Sequence, residues 1–308
     1  MQRTEFQKSA FPTKTLPDDT NTMFQPIHGA LRAFRLVYVL SAVAITILIL
    51  YPWLEASALL RFRGGQRVIS KAFHRIIRAL LGLRISEQGA PSPIRPLILV
   101  ANHISWLDIV TISSILPAIF VAQHDVATWP IFGRLAKLSP SIFVNRNRRL
   151  EVLKTINSIS DALTADEVVA IFPEGTSTDG ANVLPFRSSL FGSVRETLVR
   201  AEHLPAMFIQ PVSVAYLGPN RRLAAWALED EIPFFPHLLQ VACLRRIDVA
   251  LTWGEPISAD RSSDRKLLAK WLEEAVRGVV AEAHRPGGLP PRRAELQTKG
   301  TKTQAIKG

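Results

Sequence analysis

One long apolar stretch dominates the start of the chain. No charged residue occurs between Leu36 and Leu54, and a helix of that length spans roughly 28 Å, about the thickness of the hydrocarbon core of a bilayer. Tyr38 lies near one end and Trp53 near the other, as in the aromatic belts of membrane helices. We therefore predict a membrane anchor within residues 31–62, preceded by a flexible tail over residues 1–30.

Two other interpretations of this stretch stay open. Ala56-Ser57-Ala58 resembles a signal-peptidase site, although the segment before the apolar stretch is long for a signal peptide. The stretch also fits the buried core helix of a soluble domain. Its length exceeds that of a usual signal-peptide core, which favours the anchor.

A second helical pattern follows between Gly65 and Ile85. Its apolar positions are Val68, Ile69, Ala72, Phe73, Ile76, Ile77, Leu80 and Leu81, and the basic residues between them are Arg67, Lys71, Arg75 and Arg78. This pattern predicts a basic amphipathic helix, within residues 63–90, that lies in the headgroup plane of an anionic membrane surface. The alternative is a helix packed on the following domain with a solvated basic face.

Beyond residue 90, short apolar runs alternate with longer helical ones. The runs predicted as strands are Pro96–Ala101, Ile119–Ala122, Ser141–Val144, Val168–Phe172, Met207–Tyr216 and Ile247–Trp253. Helices are predicted near residues 105–116, 129–138, 149–163, 188–203, 234–243 and 261–283. Over residues 91–285 this alternation predicts an α/β domain with a largely parallel sheet covered by helices. Residues 286–308 predict a flexible basic tail.

The composition limits the classes of partner that the protein can bind. The 308 residues include 37 Lys and Arg against 26 Asp and Glu, a formal net charge of +11. The basic residues flank apolar helices, and no basic patch interleaved with aromatic residues is visible, so we expect an anionic membrane surface as partner and no nucleic acid. Cys243 is the one cysteine, which excludes an internal disulfide and a cysteine-based zinc site and fits apolar packing. No metal-binding cluster is visible, so no metal is expected.

The first candidate for chemistry follows the first strand of the predicted domain. His103 and Asp108 stand five residues apart at the carboxyl end of that strand, where open α/β sheets place their sites. A histidine whose tautomer is held by an aspartate can take a proton from a hydroxyl near neutral pH. The structural alternative is a capping box, with Ser105 and Asp108 at the start of the next helix and His103 as a loop residue.

Two further segments lie at strand ends. Pro173-Glu174-Gly175-Thr176-Ser177 follows an apolar strand, and its glycine lets the backbone approach a ligand while its hydroxyls supply hydrogen bonds. Arg146 follows the strand at Ser141–Val144, and arginine suits bidentate binding of phosphate or carboxylate. The alternatives are a surface turn with a solvated Glu174 and a surface charge at Arg146.

Together these segments resemble a known family. The ordered blocks His103…Asp108, Phe143-Val144-Asn145-Arg146, Phe172-Pro173-Glu174-Gly175-Thr176 and Ile209-Gln210-Pro211-Val212 are similar to those of the glycerolipid acyltransferases related to 1-acylglycerol-3-phosphate acyltransferase. The resemblance covers about residues 96–215. It implies an αβ domain docked on the membrane through N-terminal helices, which agrees with the predicted anchor.

The resemblance also implies roles for residues. His103 would be the general base on the acceptor hydroxyl, with Asp108 orienting it, and no residue of the protein would be acylated. Arg146 would help to hold an acidic head group, and from its position after the site loop we expect Arg187 near the same group. Glu174, Gly175, Thr176 and Ser177 would line the acceptor and acyl-carrier site, and Pro211 would shape the acyl pocket. The donor would be acyl-CoA or acyl-carrier protein, with no cofactor, and the domain would face the cytoplasm from the inner membrane.

Two departures from the family pattern concern the acceptor. Ser177 stands where many members that use lysophosphatidate carry arginine, and Asn145 stands where aspartate is common. We expect a membrane-bound O-acyltransferase that acts on 1-acyl-sn-glycerol-3-phosphate, with lyso-ornithine lipid as the alternative acceptor. A catalytically inactive lipid-binding protein is the alternative from another class, and the intact His103 and Asp108 argue against it.

Overall fold

The structure, a computed structural model, describes residues 25–123, 141–144, 149–227 and 232–285. Its helices are α1 (Gln25–Leu59), α2 (Arg63–Leu81), α3 (Leu107–Ser113), α4 (Arg149–Thr164), α5 (Gly192–Arg200), α6 (Arg221–Ala224), α7 (Phe234–Cys243) and α8 (Arg265–Ala283). Its strands are β1 (Leu83–Gln88), β2 (Leu97–Ala101), β3 (Ile119–Gln123), β4 (Ser141–Val144), β5 (Val168–Ile171), β6 (Met207–Leu217), β7 (Ile247–Trp253) and β8 (Ile257–Ala259).

The strands form one sheet in the order β1-β7-β6-β2-β5-β3-β4, and β8 also pairs with β6. The strands from β6 to β4 are parallel, whereas β7 and β8 run antiparallel to β6. The prediction of a largely parallel α/β sheet covered by helices is confirmed. β1 and β8 were not predicted, and the helix predicted near residues 129–138 lies outside the described residues.

Both faces of the sheet are covered. One apolar core lies between the sheet and the helices α1, α2, α3 and α7, and it includes Val39, Leu81, Leu107 and Val241. The other lies under α4, α5 and α8 and includes Ile159, Leu198 and Leu272. The central strand β2 is fully buried along its length, because alternate residues enter the two cores.

The long helix α1 packs against α2 and α7. Val39, Thr46, Leu54 and Ser57 are buried along one side of it, at the spacing of a helix–helix contact. The exposed side carries large apolar residues, among them Phe34, Tyr38, Ile45, Leu48 and Trp53. Within the described residues, α1 is the one helix long and apolar enough to cross a membrane.

Helix α2 packs one stripe of its surface on the domain. Its stripe of Ser70, His74, Ile77 and Leu81 is buried, and Arg67 forms an ion pair with Glu167 at the start of β5 (2.9 Å). Part of the apolar face of α2 is thus packed on the domain, as the alternative expects, while Val68 and Ile76 of the same face stay exposed. Contact of this helix with a headgroup plane stays a prediction. The same apolar stripe suits either partner.

Gly82 ends α2 and also corrects a boundary. It adopts a left-handed conformation (φ 71°), and a Cβ at this position would collide with the carbonyl oxygen of Arg245. The predicted helix to Ile85 therefore stops at Leu81, and Ile85 lies in β1 beside Val249. The sheet begins at Leu83, inside the range that was assigned to the amphipathic helix.

Candidate active site

The chain turns at the carboxyl end of β2 with the help of Asn102. Its side-chain amide donates to the carbonyl of Val214 and accepts from the N–H of Val214, both at 2.8 Å. The side chain thus continues the β2–β6 ladder for one more step while the main chain leaves the sheet. This arrangement delivers His103 to the edge of the sheet, as the position of the motif predicts.

His103 and Asp108 form a hydrogen-bonded pair. The Nδ1 atom of His103 lies 2.9 Å from Oδ2 of Asp108, the imidazole is 21% exposed, and the carboxylate is fully buried. The ring of His103 stacks on Phe172, with centroids 4.2 Å apart and planes 14° from parallel. With Nδ1–H donated to Asp108, Nε2 is the nitrogen left to accept a proton.

Asp108 also binds the backbone, as one half of the predicted capping box requires, whereas the other half is not formed, because the hydroxyl of Ser105 has no hydrogen-bond partner among the described residues. Its Oδ2 accepts from the N–H groups of Ile104 (2.7 Å) and Ser105 (2.9 Å). Its Oδ1 accepts from the hydroxyl of Tyr216 at 2.7 Å. Burial raises the pKa of Tyr216 well above its usual value, so this residue stays a donor. The two interpretations of Asp108 are therefore compatible, since one carboxylate performs both tasks.

Glu174 joins the two loops of the site. Its Oε1 accepts from the N–H of His103 and its Oε2 from the N–H of Leu184, both at 2.7 Å. The side chain is buried, and burial raises its pKa to about 7. Glu174 is thus a clamp between backbone segments, and the alternative of a solvated carboxylate is wrong.

The turn after Glu174 brings a cation into the site. Gly175 has φ 82°, and the guanidinium of Arg187 lies so close that a Cβ on Gly175 would be 2.9 Å from its Cζ. Arg187 is exposed, and its N–H donates to the carbonyl of Pro173 (2.9 Å). The half-buried Thr176 follows Gly175 along the turn.

Other predicted site residues have different surroundings. Ser177 is buried, and its hydroxyl donates to the carbonyl of Trp226 at 2.6 Å. Pro211 lies where β6 changes its antiparallel partner from β8 to β7, so its missing N–H removes no bond to either strand. It lines a cavity of about 140 Å³ with Trp271, Ala275 and Val279 of the α8 side. Arg146 lies outside the described residues.

Helix α7 supports the site from the side of the first core. The indole N–H of Trp106, which lies between His103 and Asp108 in the chain, donates to Nδ1 of His237 on α7 (3.0 Å). The Nε2 atom of His237 lies 2.9 Å from the carbonyl oxygen of Ala225. Burial lowers the pKa of His237.

The sequence argument missed three of these contributors: Asn102, Tyr216 and His237. Their partners lie 112, 108 and 131 residues away in the chain. The aromatic residue at the end of an apolar strand offered one signal, because a buried tyrosine needs a hydrogen-bond partner. The structure brings His103, Asp108, Glu174, Gly175 and Arg187 together, and their catalytic and binding roles stay predictions.

Chemically, this arrangement suits removal of a proton from a hydroxyl. A partly exposed imidazole is held in one tautomer by a buried carboxylate, and an exposed guanidinium lies on the neighbouring turn. A histidine–aspartate pair of this kind can activate an alcohol for attack on a carbonyl carbon.

Comparisons with known proteins point the same way. A family model described as Acyltransferase matches residues 84–215. The lyso-ornithine lipid O-acyltransferase of Rhizobium meliloti is 33% identical over 255 residues, which cover 80% of this chain and 84% of that protein. The lyso-ornithine lipid O-acyltransferase of Brucella abortus is 34% identical over 83% of this chain and 96% of that protein. The 1-acyl-sn-glycerol-3-phosphate acyltransferase of Neisseria gonorrhoeae is 27% identical over 66% of this chain and 78% of that protein.

The fold has a counterpart among solved structures. The crystal structure of the 1-acyl-sn-glycerophosphate acyltransferase from Thermotoga maritima matches with a TM-score of 0.59 and 20% identity, over 86% of this chain and 99% of that chain. This likeness concerns the fold alone. The Acyltransferase model spans both the His103–Asp108 pair and the Glu174 turn, and relatives more than 30% identical extend over at least four-fifths of the chain. The chain therefore belongs to the acyltransferase family and is an acyltransferase enzyme.

Proposed function

We propose that the protein is a membrane-bound O-acyltransferase that moves a fatty acyl chain from a thioester to the free hydroxyl of a lyso-ornithine lipid. The observation that carries the reaction type is the His103 imidazole, whose Nδ1 is held 2.9 Å from the buried Asp108 carboxylate. Nε2 of His103 takes the proton of the acceptor hydroxyl, and the oxygen attacks the thioester carbonyl. The thiolate leaves and receives that proton, and no enzyme residue is acylated.

Two observations support a lyso-ornithine lipid as the acceptor. The relatives at 33–34% identity from Rhizobium meliloti and Brucella abortus are named for that lipid. Ser177 stands where lysophosphatidate-using members commonly carry arginine, and its hydroxyl is engaged by Trp226. A long cationic side chain at this buried position would displace Trp226. Arg187 then offers its exposed guanidinium to the carboxylate of the acceptor.

A second acceptor, 1-acyl-sn-glycerol-3-phosphate, is favoured by the match to the Neisseria gonorrhoeae enzyme named for it. The acyl donor is acyl-CoA or acyl-carrier protein, since both carry thioesters. Both donors occur in the cytoplasm, so the domain faces that side of the inner membrane. No cofactor takes part in this scheme.

The test is an acyl-transfer assay of the full-length protein in vesicles with each lysolipid and each donor. We expect diacylated product from lyso-ornithine lipid with a higher kcat/KM than from lysophosphatidate. Transfer only to lysophosphatidate, or to some other lysolipid, would contradict the acceptor assignment and leave the reaction type standing.

The base is tested by His103→Ala, which we expect to lower kcat by roughly 10²- to 10⁴-fold. The matched control is Cys243→Ser, because a thiol at the end of α7 has no part in the proposed mechanism. Wild-type turnover by His103→Ala would overturn the mechanism, and loss of activity in a folded Cys243→Ser protein would revive a covalent route.

A further inference from the structure

Helix α7 presents large apolar side chains to solvent on the side away from the sheet. Phe235 is 53% exposed and Leu239, one turn later, is 41% exposed. Leu223 and Ile232 are exposed beside them, and the carbonyl of Leu223 lies 3.2 Å from Nε2 of His237 on α7. We call these four residues the α7 surface. Apolar residues grouped in this way mark an interaction site more often than single ones do.

The α7 surface adjoins the exposed apolar side of α1. The two helices pack against each other, and Nε of Arg35 on α1 donates to the carbonyl of Leu244, the residue after α7 (2.8 Å). Both helices cover the same face of the sheet. Their outward sides therefore lie on the same side of the sheet, and we treat the exposed apolar side of α1 and the α7 surface together as one apolar area.

Cations border this area. Arg221 and Arg222 on α6 precede Leu223, and Arg245 and Arg246 follow α7. All four are exposed, and Arg246 is paired with Asp248 (2.7 Å). In the sequence, Glu229, Asp230 and Glu231 precede Ile232. An apolar centre with these arginines at its rim matches the acyl region and the anionic headgroups of a bilayer.

We infer that the α7 surface is a second bilayer-contact site, which inserts at the headgroup level beside α1 and holds the active site at the lipid surface. This inference rests on the proposed membrane attachment through α1. The connection to the chemistry is direct, because His237 of α7 accepts the indole N–H of Trp106 in the loop between His103 and Asp108. A lysolipid can then offer its hydroxyl to His103 without leaving the bilayer completely.

The contact is tested by depth-dependent quenching. Cys243 is replaced by serine, and one cysteine is introduced as Leu239→Cys, Leu48→Cys or Leu267→Cys and labelled with an environment-sensitive fluorophore. Leu48 reports on α1, and Leu267, on the opposite face of the sheet in α8, is the exposed control. The full-length protein is reconstituted in vesicles of phosphatidylethanolamine and phosphatidylglycerol that contain quencher-labelled lipid.

We expect strong quenching of the labels at Leu48 and Leu239 and little at Leu267. Quenching at Leu48 without quenching at Leu239 would overturn the second contact and leave the anchor standing. Quenching at neither position would overturn the proposed membrane attachment itself. A dimer in detergent that dissociates with Leu239→Glu would assign the α7 surface to a second copy of the chain and would also overturn the inference.

Activity supplies a second readout. Phe235→Glu combined with Leu239→Glu should lower kcat/KM by about tenfold for a lysolipid presented in vesicles. Activity on the same lysolipid dispersed in detergent should be retained, because neither residue touches the catalytic pair. The matched control combines Val199→Glu and Leu267→Glu, two exposed apolar positions on the opposite face. An equal loss in the control pair, or no loss in the α7 pair, would contradict the inference.

Discussion

At the scale of single residues, the carboxylate of Asp108 is fixed by donors on both of its oxygens. Tyr216 supplies the donor to Oδ1 from the interior of the sheet, 2.7 Å away. Tyr216→Phe leaves that buried oxygen without this partner, and a hydrogen bond to a charged group contributes about 1.5–3 kcal/mol. We expect a lower melting temperature and a lower kcat with little change in the acceptor KM, because Tyr216 positions Asp108 and does not contact the lipid.

The control for this prediction is Tyr51→Phe, whose hydroxyl donates to Glu55 on the exposed part of α1 (2.6 Å). Thermal unfolding and steady-state kinetics in detergent measure both variants. An unchanged kcat in Tyr216→Phe would show that the backbone donors of residues 104 and 105 hold Asp108 sufficiently by themselves.

The raised pKa of Glu174 predicts that folding stability depends on pH. Its pKa rises from 4.5 to about 7 on folding, because burial disfavours the charged carboxylate. The unfolded chain therefore releases this proton at lower pH than the folded protein, and stability falls as the pH rises through that interval. The loss amounts to about 3 kcal/mol, since each pKa unit is worth about 1.4 kcal/mol.

Glu174→Gln removes the titrating group, so we expect the loss of stability between pH 4.5 and 7 to be smaller in this variant than in the wild type. Urea unfolding in detergent across that range measures the difference. The two proteins differ at this one residue, so the comparison isolates Glu174. Parallel pH profiles for the two proteins would contradict the raised pKa.

At the scale of elements, one guanidinium joins three helices. Arg35 of α1 donates to the carbonyl of Leu244 at the end of α7 and to that of Leu80 near the end of α2. Cations stabilise helix C-termini, where carbonyls lack intrahelical donors. We expect Arg35→Ala to destabilise the packing of α1 by about 1–3 kcal/mol and to increase tryptic cleavage at Arg245 and Arg246. Arg32→Ala, an exposed position on the same helix, is the control and should be cleaved like the wild type.

The elements that could be predicted from the sequence are those whose pattern has one physical solution. The uncharged Leu36–Leu54 stretch must be helical, and the fully buried strands around His103 must lie in a covered sheet. β1 was missed because this edge strand exposes Arg84, Ser86 and Glu87 and therefore lacks an apolar run. β8 has three residues, too few for a period. The sequence could not predict what α2 packs against, since its apolar stripe suits a bilayer as well as a protein core.

The contacts of the site also divide into those that the sequence could predict and those that it could not. His103 and Asp108 lie on one loop, so their spacing predicts their contact. Tyr216 reaches Asp108 only because β6 pairs with β2, and strand order is a property of the whole sheet. The hydroxyl of Ser177 donates to the carbonyl of Trp226, 49 residues later, a contact that the sequence could not predict; its place in the substrate site stays a prediction.

At the scale of the whole molecule, membrane attachment through α1 predicts resistance to salt. Apolar contact with the acyl chains is not screened by ions, whereas attraction of the arginine rim to anionic lipid is. We expect the full-length protein to stay in the inner-membrane fraction after a high-salt wash and to be released by detergent. Recovery in the soluble fraction after the salt wash would contradict the anchor.

The proposed cytoplasmic orientation predicts resistance to protease. Protease added to cells with a sealed inner membrane should leave the domain intact, and its cleavage would contradict this orientation.

Gly82 alone separates α2 from β1, and three residues separate α1 from α2. A domain on a long flexible tether would sample many heights above a bilayer, and its encounters with lipid would depend on tether length. With the proposed attachment through α1, the short connections to α2 and to the sheet would hold His103 at one fixed height above the bilayer. The enzyme would then diffuse along the membrane surface and reach only those hydroxyl groups that lie at the depth of His103.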